Sequence, residues 1–270
     1  MDTRRTADAR APKPTMRTST ITREPAVDER LVMPECGYEI IDGEVAAVSP
    51  AHEPHASCHA KLAALLGAHA ADGYGVALDM LTRTSATSDF APDASVYPIA
   101  RDPATGGRQL EELAFEVVST ESLGHAGRKA ALLRERGVRR VLAIDVERSR
   151  VLEWSIAAGA WETLVAGAAI EDRALGVALP SADLIDVASG DDAIARALLA
   201  KRNAVLTSAI AGAALASMAE AIVRVLAARG IFATQAQRRV ILGMRDAYTL
   251  ERWLAHVATC SDVDAMLAAE

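Results

Sequence analysis

The chain has 270 residues, a formal net charge of −7, 51% hydrophobic and 24% charged residues, and only 4% aromatics. That is the balance of a soluble globular protein with room for one large domain and an appendage. The acidic balance excludes a protein that coats nucleic acid non-specifically, and the scarcity of aromatics excludes a single-strand binder that stacks bases on rings. Three scattered cysteines, Cys36, Cys58 and Cys260, form no CxxC. They exclude a disulfide framework or zinc ribbon and point to a reducing cytoplasm.

The first thirty residues, rich in Arg, Thr, Ala and Pro and without an apolar run, read as a disordered arm over 1–30 with no secretory signal. "YEIIDGEVAAVSP" alternates apolar and polar residues about Asp42-Gly43, which predicts a hairpin with strands near 38–41 and 44–48. After Pro50, Leu62, Leu65, Leu66 and His69 share one face of a predicted helix that stops at Gly73. "VALDM" and "DASVYP" read as strands, and "RDPATGGRQ" as a loop. "LAFEVVS" reads as a buried strand with Glu116 in its middle. "SLGHAGRKAALLRERG" reads as a helix closed by Gly137, "VRRVLAID" and "VLEWSI" as strands joined by a turn, and "AWETLV" as one more.

From about residue 187 the pattern changes. A single Ala-rich helix is predicted from Ser189 to Gly230, within which Ala204–Ala219 carries no charge. A bilayer span needs about 20 strongly apolar residues, so this run of 16, diluted by Ser, Thr and Gly, reads as helix packing or self-association and not as a membrane segment. Thr234 with Gln237 and Ser261 with Asp264 have the spacing of capping boxes. The predicted fold is α/β, a mixed central sheet flanked by helices, with an all-α extension over 187–270.

An ionised carboxylate inside an apolar strand is costly unless it is paired or bound to a metal. Glu116 has two candidate partners. Asp93 follows Pro92 at the head of the preceding apolar strand, and two carboxylates at adjacent strand ends suit a hard divalent cation. Lys129 lies on the shoulder of the stripe formed by Ala126, Ala130 and Leu133 in the next helix, where it could hold a water or neutralise charge on a phosphate. Sequence pattern alone leaves open a plain reading: a surface Asp and a buried Glu–Lys ion pair without chemistry.

The series "YEIIDGEV", "SPAHEPHASCHAKLAALL", "FAPDASVY", "LAFEVVSTES" and "GRKAALLRERGVRRVLAIDVERSRVLEW" resembles the Uma-two family of restriction-endonuclease-like proteins, a branch of the PD-(D/E)XK nuclease superfamily, over roughly 31–186. The resemblance implies a restriction-endonuclease-like core and a Mg²⁺- or Mn²⁺-dependent hydrolase that cuts DNA phosphodiester bonds. Asp93 and Glu116 would be the metal ligands, and Lys129, supplied from the helix, would assist the attacking water. It further implies site roles for Glu44 in the opening hairpin and His55 at the start of the first helix. The superfamily's usual lysine position is Val118 here, and two of this branch's usual aromatic positions are Leu133 and Leu142. These departures keep a rival expectation alive, a non-catalytic nuclease fold that binds or assembles through its C-terminal helices. A homodimer is left open, and no membrane partner is expected.

His52, His55 and His59 have H-x2-H-x3-H spacing, and the last two could chelate a metal as an i,i+4 pair. With no fourth ligand motif nearby, the preferred reading is a helix start that turns one histidine toward the site. Cys58 on an Ala-rich helix reads as core and not as a nucleophile.

Overall fold

The computed structural model describes residues 26–31, 37–48, 53–119, 123–185 and 190–269. Cys36, His52 and most of the arm expected at 1–30 lie outside them. The chain opens with β1 (Tyr38–Ile41) and β2 (Glu44–Ala47), paired antiparallel with Ile41 opposite Glu44. Asp42 and Gly43 both take positive φ, 54° and 82°, the two-residue turn that matches the twist of a hairpin. Next come α1 (Glu53–His69), β3 (Tyr74–Leu78), β4 (Thr82–Arg83), β5 (Asp89–Phe90), β6 (Ala94–Pro98) and β7 (Leu113–Val118). After them α2 (Leu123–Arg136) leads to β8 (Arg140–Asp145), β9 (Arg150–Ser155) and β10 (Ala160–Thr163).

Two sheets carry the architecture. The larger has the order β10-β9-β8-β7-β6-β3, with β7 and β8 parallel and the other neighbours antiparallel. The smaller has the order β2-β1-β5-β4. In β7, Leu113, Phe115 and Val117 join Leu62, Leu65 and Leu66 of α1 in one core. The alternate residues Ala114 and Val118 pack toward Ala126, Ala130 and Leu133 of α2. Being covered on both faces, β7 is apolar at every position except Glu116. Ile41 and Phe90 of the small sheet sit in the same cluster as Ala130 and Leu133, so this sheet lies over α2. The mixed α/β sheet flanked by helices is the architecture expected from sequence.

Gly137 closes α2 with φ 116°, and the amide of Val138 returns to the carbonyl oxygen of Leu133. The short pair β11 (Ala169–Ile170) and β12 (Leu179–Pro180) and α3 (Ser181–Ile185) complete this part. Beyond it the single helix expected from Ser189 to Gly230 is broken. It forms α4 (Gly190–Ala200) and α5 (Ala204–Ala228), because Arg202 turns into the left-handed region at φ 55° and Asn203 caps the amides of Val205 and Leu206.

The second half of α5 packs with α6 (Gln235–Gly243), α7 (Ala247–His256) and α8 (Val263–Leu267) around Ile222, Leu226, Leu250, Trp253 and Met266. Its first half carries exposed Val205 and Ile210. By length and composition α5 is one helix among the described residues that could cross a membrane. The capping box of Thr234 and Gln237 is present, but α8 is capped by Asp262, whose carboxylate takes the Ala265 amide, and not by Ser261.

Gly127 sets how closely α2 approaches the sheet. A Cβ there would lie 3.0 Å from the Trp154 ring and 3.3 Å from Nε1 of Trp161. Alanine favours a helix over glycine by about 1 kcal/mol, yet overpacking costs about 1–3 kcal/mol. We expect Gly127→Ala to lower the stability measured by urea unfolding; a more stable variant would show that the two tryptophans yield freely.

Candidate active site

The alternation of β7 turns Glu116 to the α2 side, where it is 3% exposed. Lys129 meets it there, with Nζ 3.0 Å from Oε2 of Glu116. The lysine also lies 3.3 Å from Oε1 of Glu39 and donates to the carbonyl oxygen of Ala91 at 3.0 Å. An ammonium has three N–H bonds, so these acceptors use all of them. The Phe90 ring sits 5.4 Å from the same nitrogen. Glu39 is further held by the Ala91 amide at 3.2 Å, which ties the small sheet to the cluster.

Asp93 stands just before β6. Ala94 pairs with Phe115, so the register continued by one residue sets Asp93 across from Glu116. Its Oδ2 accepts the Val117 amide at 2.5 Å, which pins the carboxylate to the rim of the sheet. From the other side α1 brings two imidazoles. Nε2 of His55 lies 3.8 Å from Oδ2 of Asp93, and Nε2 of His59 lies 3.1 Å from Oδ1. At that distance His59 and Asp93 form a charged contact, although the nitrogen makes no well-aligned hydrogen bond.

The structure therefore brings together Asp93, Glu116, Lys129 and His55 of the residues expected from sequence. Glu44 is not among them. It is exposed at the start of β2 opposite Ile41, and no contact of the described residues links it to the cluster. The hairpin acid that reaches Lys129 is Glu39, on the same face of the ribbon but two residues back along β1. Both His55 and His59 face Asp93, where one site-facing histidine was expected. Their i,i+4 spacing held that signal.

Residues 27–184, more than half of the chain, match the family Uma2, described as "Putative restriction endonuclease". The chain belongs to the Uma2 family. A solved structure titled a "putative nuclease belonging to DUF820", from Anabaena variabilis, is similar at 16% identity and a TM-score of 0.48, over 56% of this chain and 90% of its own. Among curated proteins none matches. In this Uma2 chain Leu133 and Leu142 are fully buried core residues, and Val118 is buried beside Ala143 and Leu152.

Electrostatics distinguish the two carboxylates. Burial pushes Asp93 up, but His59, Lys129 and the Val117 amide outweigh it and hold the group below its ordinary range. Burial pushes Glu116 well above its ordinary range; Lys129 offsets part of this, and the charge of Asp93 adds to it. Burial draws Lys129 down, but Glu116, Glu39 and Asp93 more than compensate and keep it charged. Contact with Asp93 holds the His59 imidazolium above its ordinary value.

These residues fit a divalent cation. Three carboxylates (Glu39, Asp93 and Glu116) face the Lys129 ammonium and the His59 imidazolium, which leaves one negative charge over when all are ionised. Oε1 of Glu116 is buried and accepts no hydrogen bond. Asp93 is an ionised oxygen donor, and the nearest atoms of His55, His59 and Asp93 lie within 4.8 Å of one another. A cleft of about 450 Å³ lies elsewhere, between Glu112, Arg134, Arg139 and Arg173. Arg139 and Arg173 there are already paired with Glu112 and Asp172, so it offers no comparable set of donors. Burial pushes the Cys58 thiol up to about 11, which removes it as a nucleophile near neutral pH.

Because the folded chain holds the Glu116 proton more tightly than the unfolded chain, whose value is near 4.5, that group's stabilising effect is complete below this pH and fades as pH rises. Removing the lysine steepens the trend. We expect metal-free Lys129→Met to lose about 3–5 kcal/mol at pH 8, the usual cost of stranding a buried charge, and less at pH 5. A loss independent of pH in urea unfolding would contradict the pairing.

Proposed function

We propose that the chain is a metal-dependent endonuclease that hydrolyses DNA phosphodiester bonds. The observation that carries this reading is the convergence at the rim of β6 and β7: an ionised aspartate pinned by a backbone amide, a buried glutamate across from it, and a lysine saturating one glutamate oxygen. Asp93 and Glu116 are the residues that would hold Mg²⁺ or Mn²⁺. A divalent cation there would supply Lewis-acid polarisation of a phosphate oxygen and of the attacking water.

The chain's own residues do the rest. The Val117 amide fixes the Asp93 carboxylate, so no reorganisation is needed when charge develops beside it. Lys129 spends its three N–H bonds on Glu116, Glu39 and Ala91, so it acts first as the group that keeps Glu116 ionisable and in place. Its positive charge also favours the negative charge that builds on a phosphate under attack. The net charge of −7 means that DNA is held locally and not by the whole surface. Membership of a family described as "Putative restriction endonuclease" supports this substrate class. The described cysteines, Cys58 and Cys260, are free, which accords with work in a reducing cytoplasm.

Supercoiled plasmid incubated with Mg²⁺ or Mn²⁺ tests the reading. The wild type nicks it, chelation with EDTA stops the reaction, and Asp93→Ala and Glu116→Ala each lower the rate by at least about 10²-fold. Equal nicking by all three proteins, or intact plasmid with the wild type in both metals, would overturn it.

A further inference from the structure

We infer that His59 is a metal ligand, and that with His55 and Asp93 it forms a nitrogen-containing site that selects a borderline transition-metal ion of the Mn²⁺ or Co²⁺ type over Mg²⁺. The inference rests on the metal-dependent reading above and specifies which ion the site takes.

Three observations lead there. First, residues 55 and 59 are one helical turn apart on α1, with ring centroids 4.8 Å apart, so both nitrogens reach one side of Asp93. Second, one pair already has the spacing of ligands around one ion, and all three donor atoms lie within 4.8 Å of one another. With metal–ligand bonds of about 2.1 Å, neighbouring ligand atoms stand roughly 3.0–3.4 Å apart, and Nε2 of His59 is 3.1 Å from Oδ1 of Asp93.

Third, Nε2 of His59 is buried and stands 3.1 Å from the Asp93 carboxylate without a well-aligned hydrogen bond to it. Oε1 of Glu116, on the residue across from Asp93, is likewise buried with no hydrogen bond. A bound cation would satisfy both atoms.

Donor chemistry then sets the ion. Mg²⁺ demands oxygen ligands and keeps its waters, whereas imidazole nitrogen favours the later first-row divalent ions in rising order from Mn²⁺ through Co²⁺. Two imidazoles on one carboxylate oppose Mg²⁺. Glu116, with Oε2 given to Lys129, has Oε1 left as an oxygen donor.

The test is metal binding, read by calorimetry with Mn²⁺, Co²⁺ and Mg²⁺ separately and by the visible absorption of the Co²⁺ form. The proteins are full-length wild type, His59→Leu and His55→Leu. The wild type binds Mn²⁺ and Co²⁺ more tightly than Mg²⁺. Losing an outer-sphere partner of a metal already costs about 10–100-fold in affinity, so His59→Leu weakens Mn²⁺ and Co²⁺ binding by at least that much. The same variant narrows or abolishes the preference for these ions over Mg²⁺ and shifts the Co²⁺ spectrum. Circular dichroism and thermal unfolding without metal report that the variant is folded; if His59→Leu does not fold, His55→Leu gives the same comparison.

Equal affinity of the wild type for Mn²⁺ and Mg²⁺, or Co²⁺ affinity and spectrum untouched by His59→Leu, overturns the inference and makes the pair a contact that only positions Asp93. In that case plasmid nicking by the wild type would leave the nuclease reading standing. Mn²⁺ held through His59 by a protein that nicks no DNA would uphold the inference while removing that reading.

Discussion

The contact between Lys129 and Glu116, 3.0 Å long and buried beneath α2, is the constraint around which this protein is arranged. A carboxylate in a strand covered on both faces has no route to water, so some element must bring it a cation. That element is α2, and it reaches the sheet because Gly127 has no Cβ to press against Trp154 and Trp161. The small sheet then closes over the pair. Phe90 fills the space beside Lys129, and Glu39 and the Ala91 carbonyl take its remaining N–H bonds. Each part answers a demand set by one charge in the wrong medium.

The same arrangement leaves an imbalance. One ammonium is set against three carboxylates, while the imidazoles of α1 approach from the opposite side. A purely structural ion pair would be closed, with every oxygen satisfied. Here Oε1 of Glu116 and Nε2 of His59 are buried without well-aligned hydrogen bonds. Unpaired buried polar atoms cost about 1–3 kcal/mol each, and a site meant to receive a cation is one place where such a cost is retained.

Much of this was legible in the sequence because it depends on local patterns. Asp42-Gly43 specified its hairpin, the apolar run around Glu116 specified a strand buried on both faces, and the stripe of α2 placed Lys129 on its buried side. What escaped depends on registers between distant segments. Glu39 and Glu44 lie on one face of the same ribbon, and only the pairing of Ile40 with Asp89 decides which of them stands above Lys129. His59 was one of several histidines until the turn at Asp93 brought a carboxylate to it. The break between α4 and α5 turned on a single left-handed residue, Arg202, of a type that ordinarily continues a helix. The cap of α8 fell to Asp262 because neighbouring Ser and Asp compete for one role.

The C-terminal helices have their own apolar cluster around Trp253 and Met266, and α5 leads into it from the face of α1 covered by α4. A nuclease role requires the cluster at Asp93 and Glu116 to be a site for a divalent cation and not merely a buried ion pair. Thermal unfolding with and without Mn²⁺ tests that most directly. A ligand at 100 times its Kd adds about 2.7 kcal/mol to the folded state, so the account predicts a rise in Tm of several degrees for the wild type and none for Asp93→Asn. The same rise in both proteins, or none in either, would contradict it.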